Sequence, residues 1–136
     1  MNVIEKENQG WRTAVKKILL VEDDPTMLEL LSTLFMLEGF EVATMLGEEA
    51  ILESVVKNYP DVILMDVHLR LGGGKEVSGF DLLKLIRSEE TTRDKKVVMY
   101  SGMDFRIKSR EEGADGFILK PFMPDEMINK IKELLE

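Results

Sequence analysis

From Lys17 onward, short unbroken apolar runs alternate with stretches in which apolar residues recur every three or four positions. "KILLVE" (17–22), "FEVATM" (40–45), "DVILMD" (61–66), "KVVMYS" (96–101) and "GFILK" (116–120) read as strands of the buried, parallel type. Helices fill the gaps. Asp24 offers an N-cap and Pro25 a first-turn proline, opening a stripe of Met27, Leu28, Leu31, Leu34 and Phe35 that Gly39 closes. A second helix is expected over Glu48–Asn58, ended by Tyr59-Pro60. Ser78 caps a third, carrying Phe80, Leu82, Leu83 and Ile86. A fourth, Asp104–Glu112, is weakly patterned, because Phe105 and Ile107 are its only large apolar residues and their spacing is not helical. The fifth has Met127, Ile128, Ile131, Leu134 and Leu135 on one stripe. Five strands alternating with five helices predict an α/β fold, a doubly wound parallel sheet covered on both faces.

Residues 1–15 lack this rhythm and read as an N-terminal extension to a domain spanning 16–136. Trp11, the only tryptophan, lies in the extension and is expected to dock on the domain. The first residues are polar and acidic, unlike a signal peptide, and no apolar run approaches a membrane span. The expectation is a cytoplasmic protein with no membrane partner. A net charge of −8 argues against a direct nucleic-acid partner. The absence of cysteine excludes disulfides, thiolate metal sites and cysteine nucleophiles, and a single histidine, His68, excludes a multi-histidine zinc site.

The informative polar residues stand where strands end. Strand one ends in Glu22 and Asp23, strand three in Asp66, strand four in Ser101 and strand five in Lys120, while strand two offers nothing ionisable. Parallel strands bring their carboxyl ends to one edge, where open α/β sheets bind ligands. Three carboxylates converging there repel one another unless a cation lies between them, and all-oxygen ligation suits magnesium. Lys120 and Ser101 suit phosphate oxygens. The edge therefore reads as a magnesium-assisted phosphoryl site with a carboxylate as nucleophile. Singly, each residue has a plainer role as turn former, helix start or surface lysine; the joint order carries the inference. "GGGK" (72–75) lacks the spacing of a phosphate loop, and the His68 side chain reads as a solvated loop residue.

The segments "ILLVEDDP", "VILMD", "VVMYSG" and "GADGFILKPF", in this order over 17–136, resemble the receiver domains of two-component response regulators. The resemblance implies a flavodoxin-like (βα)5 sandwich with strand order 2-1-3-4-5. It further implies that Asp66 is the phosphoacceptor, forming an aspartyl phosphate. Mg2+ would be held by Asp23 and Asp66 with the main-chain carbonyl of His68, Glu22 supporting. Ser101 matches the switch hydroxyl, Phe117 the switch aromatic, and Lys120-Pro121 a pair usually joined by a cis peptide. The implied partners are a sensor histidine kinase or a histidine phosphotransfer protein upstream, and a protein target or effector domain downstream. The chain would catalyse only its own phosphorylation and dephosphorylation.

Two departures stand out. Arg70 replaces a proline usual in the family, and the equivalent glycine, Gly79, comes about five residues late, so "LRLGGGKEVSG" (69–79) reads as an enlarged flexible loop that recognises partners or gates Asp66. The interval from Ser101 to Lys120 is about one helical turn short, which counts against dimerisation through the helix 4, strand 5 and helix 5 face. His68 and Met103 hold the positions that tune dephosphorylation, and neither orients water well, so autodephosphorylation is expected to be slow. The alternative reading is a non-phosphorylated pseudo-receiver acting as an interaction module. An aspartyl phosphatase would need an acid where His68 stands, and an FMN binder would not place carboxylates against phosphate.

Overall fold

The computed structural model describes residues 15–45, 50–71 and 74–136. Trp11, its expected docking and most of the 1–15 extension lie outside the described residues. In chain order the elements are β1 (Lys17–Val21), α1 (Pro25–Leu37), β2 (Glu41–Thr44), α2 (Ile51–Asn58), β3 (Val62–Asp66), β4 (His68–Leu71), β5 (Lys75–Ser78), α3 (Gly79–Ser88), β6 (Lys96–Ser101), α4 (Arg106–Glu111), β7 (Gly116–Leu119) and α5 (Pro124–Leu135). Five strands form one parallel sheet in the order β2-β1-β3-β6-β7, the expected 2-1-3-4-5 arrangement with β2 at the edge.

Because side chains alternate along a strand, the apolar runs feed two cores. Ile18 and Leu20 of β1, Val62 and Leu64 of β3, and Val98 and Tyr100 of β6 pack with Leu31 and Phe35 of α1 and Met127, Ile128 and Ile131 of α5. Leu19, Val21, Ile63, Met65, Val97 and Met99 face the other way, onto Ile51 and Val55 of α2 and Phe80, Leu83 and Ile86 of α3. These side chains are almost wholly buried. Each full burial contributes roughly 1.5–3 kcal/mol before entropy.

The caps follow the sequence. Asp24 accepts a hydrogen bond from the Thr26 N–H at 3.0 Å, and Ser78 Oγ accepts from the Phe80 N–H at 3.1 Å; each cap stabilises its helix by about 1 kcal/mol. Arg87, at the end of α3, joins three segments. Its Nη1 donates to the carbonyls of Arg93 (2.8 Å) and Lys95 (2.7 Å), its Nε to the Gly113 carbonyl (3.0 Å), and its Nη2 to Asp115 Oδ2 (3.0 Å).

Three expectations are corrected. The second helix begins at Ile51, not Glu48: Ala50 is extended, and 46–49 lie outside the described residues. The fourth is only the six residues Arg106–Glu111, with Phe105 placed against Phe80 (ring centroids 5.6 Å apart, edge-on) as its anchor. Finally, the described residues of 69–79 form paired strands in place of the expected open loop. β4 and β5 pair antiparallel, Leu69 opposite Val77 and Arg70 opposite Glu76. Leu69 is buried beneath this ribbon, and Arg70 and Glu76 form an ion pair of 3.0 Å across it. Burial of one side and opposite charges across the pair favour a ribbon over an open loop.

Candidate functional site

The carboxyl ends of β1, β3, β6 and β7 gather Glu22, Asp23, Asp66, Ser101 and Lys120 at one edge of the sheet. Asp66 is 5% exposed. A carboxylate so buried needs charge compensation, and both its oxygens are engaged: Lys120 Nζ donates to Oδ2 at 2.8 Å, and the His68 N–H donates to Oδ1 at 3.0 Å. Lys120 also lies 4.6 Å from the centroid of the Tyr100 ring. The Lys120-Pro121 peptide is cis, matching the expectation.

The acidic pair after β1 divides its labour. Asp23 Oδ2 accepts from the Arg70 main-chain N–H at 3.0 Å, leaving Oδ1 without a hydrogen-bond partner among the described residues. Glu22 is turned inward. Its Oε2 accepts from the N–H groups of Asp23 (3.0 Å) and Asp24 (2.9 Å), and its Oε1 accepts a hydrogen bond from the Tyr100 hydroxyl. Burial pushes the Glu22 carboxyl above the ordinary carboxylate range, against the opposing pull of the Tyr100 hydroxyl and the Asp24 N–H. Burial, followed by the charge of Glu22, holds the Tyr100 hydroxyl protonated far above the ordinary tyrosine range.

Ser101 is buried, and its Oγ accepts from the Met103 N–H at 3.1 Å, while its carbonyl accepts from the Lys120 N–H at 2.8 Å. Its hydroxyl is thus engaged in its own turn, and Met103 is exposed beside it. Phe117 lies opposite Met99 in the register and is already turned into the α2/α3 core. Gly79 sits against the main chain of Asp66: a Cβ there would fall 2.3 Å from the Asp66 carbonyl oxygen.

Among the described residues no three His, Asp or Glu side chains form a ready metal cage, consistent with Glu22 spending its oxygens on Tyr100 and main-chain N–H groups. The donors that remain around Asp23, Asp66 and the β4 edge are oxygens, a set suited to a hard cation and unsuited to a soft one. Beside them a cleft of about 560 Å³ is lined by Asp23, His68, Arg70, Glu76 and Ser78 among others. Sequence reasoning missed two participants, Tyr100 and the Arg70 N–H. A tyrosine within a buried run was a usable signal, since a buried phenol needs a partner; a main-chain donor left none.

The family model described as the response regulator receiver domain matches residues 18–132. The chain belongs to that family. This receiver is 32% identical over 123 residues to the phosphate regulon transcriptional regulatory protein PhoB of Escherichia coli, covering 88% of the chain and 52% of PhoB. It is 31% identical over 120 residues to the transcriptional regulatory protein PrrA of Mycobacterium tuberculosis, covering 88% and 49%. The chain spans about half the length of these curated relatives. Among solved structures it resembles the chemotaxis response regulator CheY4 of Vibrio cholerae (TM-score 0.75, 26% identity, 89% of this chain and 99% of that one). It also resembles the receiver domain of a sensor histidine kinase from Pseudomonas aeruginosa (TM-score 0.73, 25% identity, 90% and 98%), which holds a magnesium ion in its active-site cleft. No helix among the described residues is long and apolar enough to cross a membrane.

Proposed function

We propose that Asp66 accepts a phosphoryl group from the phosphohistidine of a sensor histidine kinase or a histidine phosphotransfer protein, and that the receiver relays this state to a protein target or effector domain. The observation that carries the reading is the buried Asp66 carboxylate at a strand end, its two oxygens gripped by Lys120 Nζ and the His68 N–H. A carboxylate oxygen of Asp66 attacks phosphorus, the phosphorus–nitrogen bond breaks, and the imidazole leaves with the electron pair, giving an aspartyl phosphate. Lys120 neutralises charge building on the phosphoryl oxygens. Mg2+, held by Asp23, Asp66 and the His68 carbonyl with Glu22 in support, would supply further neutralisation of that charge.

The Ser101 oxygen accepts from the Met103 N–H, so when its O–H turns to donate to a phosphoryl oxygen it pulls on the turn leading into α4. Phe117, buried without a hydroxyl to satisfy, supports the responding side of the sheet. Neither His68 nor Met103 offers a carboxylate or amide to orient water, so the chain hydrolyses its own phosphoaspartate slowly and acts on no other substrate.

The test is an intact-mass spectrum after incubation with acetyl phosphate, with and without Mg2+, for the unmodified chain and Asp66→Asn. A Mg2+-dependent gain of one phosphoryl group, absent in the variant, is the expected result. No gain, together with no rise in melting temperature on adding Mg2+ and beryllofluoride, would refute the reading in favour of a non-phosphorylated interaction module.

A further inference from the structure

The ribbon of β4 and β5 enters the chain immediately after Asp66, and its register fixes which way its main chain points. The Gly79 N–H donates to the Val67 carbonyl at 2.6 Å. In an antiparallel pair, bonded and non-bonded positions alternate. With Leu69 opposite Val77 and Arg70 opposite Glu76, the ladder bonds fall at Leu69, while His68 and Arg70 turn their N–H and C=O groups away from β5. The contacts agree with that parity. The His68 N–H reaches Asp66 Oδ1 and the Arg70 N–H reaches Asp23 Oδ2, both at 3.0 Å. One edge of β4 therefore runs along both carboxylates, with the His68 carbonyl on the same edge between the two donors.

We propose that Arg70 is a positioning residue for the cation site, its main-chain N–H holding the Asp23 carboxylate in its ligating orientation. This deepens the reading given above and rests on it. Asp23 is fixed from two directions: its own N–H is tied to Glu22 Oε2, and its carboxylate is tied to β4. The Arg70 side chain takes no part. It is mostly exposed and engages Glu76 at 3.0 Å and the Gly74 carbonyl at 3.5 Å. The contact therefore depends on a main-chain proton and survives truncation of the side chain. Partners that orient a metal ligand commonly carry 10–100-fold in affinity. Coupling between sites is reciprocal, so a cation that gains from the β4 edge must stabilise that edge by the same factor.

Proline removes the N–H, and its position on the non-bonded side of an outer strand spares the ribbon's own ladder. The experiment measures Mg2+ affinity by calorimetry for the unmodified chain, Arg70→Ala and Arg70→Pro, with metal-free melting temperatures as a check on folding. Arg70→Ala should bind within about twofold of the unmodified chain, and Arg70→Pro about tenfold more weakly. In the unmodified chain, Mg2+ should slow hydrogen exchange at the Arg70 amide about tenfold, a readout that needs no variant. Equal affinities for the proline and alanine variants, tighter binding by the proline variant, or exchange at Arg70 indifferent to Mg2+ would each overturn the proposal. Failure of the unmodified chain to bind Mg2+ would remove the phosphoacceptor reading and this one together, a result distinguishable from those three.

Discussion

Replacing Gly79 by alanine tests how tightly the strand that ends in Asp66 is locked to α3. Gly79 is the first residue of α3 and donates its N–H to Val67 at 2.6 Å. A Cβ added there would lie 2.3 Å from the Asp66 carbonyl oxygen and 2.9 Å from Met99 Cε, where real Cβ atoms essentially never come within 3.0 Å. The methionine end can swing aside, but the carbonyl belongs to a strand paired on both sides, to β1 and β6. A shift of at least 0.7 Å, the gap between 2.3 and 3.0 Å, is therefore demanded of a buried backbone. Overpacking of this kind costs up to about 3 kcal/mol. Alanine returns about 1 kcal/mol by restricting the unfolded chain. The net loss is about 2 kcal/mol, or roughly 6 °C in melting temperature for a domain of this length. The matched control is Gly102→Ala, because a Cβ at Gly102 meets nothing within 4 Å. Thermal and urea denaturation of the two variants decides the matter. Similar stabilities for both would show that β3 yields freely, and the argument from close approach would fail.

Tyr100→Phe leaves Glu22 Oε1 without its donor and should cost about 1–3 kcal/mol at neutral pH. Because Tyr100 keeps its proton when folded, only the unfolded chain ionises there above about pH 10, so alkali destabilises the native protein through this group. The stability difference between native protein and variant should therefore narrow as pH rises through that region; a constant difference would contradict it. The raised Glu22 carboxyl has the matching sign: stability rises as pH falls from the folded value towards the ordinary one, and rises further in Tyr100→Phe. Arg87→Lys should destabilise by about 2–3 kcal/mol, nearly as much as Arg87→Ala, because an ammonium cannot span the guanidinium's separate acceptors. Denaturant midpoints of the two variants test this, and substantial rescue by lysine would refute it.

Fold and site were legible where one residue type has one physical use. Four-residue apolar runs between helical stripes fixed a buried parallel sheet, and Asp24 and Ser78 announced caps because their side chains serve a main-chain N–H two residues on. Asp66 and Lys120 were legible because charge at the end of a buried run requires compensation. The β4–β5 ribbon was misread because three glycines suggested flexibility, although Leu69, Val77 and the Arg70–Glu76 pair already held a strand-like alternation. The short α4 was foreshadowed by its thin apolar pattern, but its anchor is the contact of Phe105 with Phe80, a tertiary event. The Tyr100–Glu22 bond joins residues 78 positions apart, and no local pattern encodes it.

The alternation that built two cores also sorts the functional residues. Tyr100 belongs to the α1/α5 core, and Glu22, Asp66 and Lys120 gather around it. Met99 and Phe117 belong to the opposite core, beneath α2 and α3. The sheet thus separates the Tyr100 cluster on one face from Met99 and Phe117 on the other, and Ser101 ends the strand that carries both Met99 and Tyr100. Substitutions in the α1/α5 layer should then alter how fast the receiver is charged, and those in the opposite layer how far it responds. Phosphorylation rates and hydrogen-exchange differences between the two states, measured on one variant from each layer, would show whether these properties vary independently. Under the proposed phosphotransfer, a receiver divided in this way would be retunable for a new phosphodonor without disturbing its response, and for a new response without disturbing its phosphodonor.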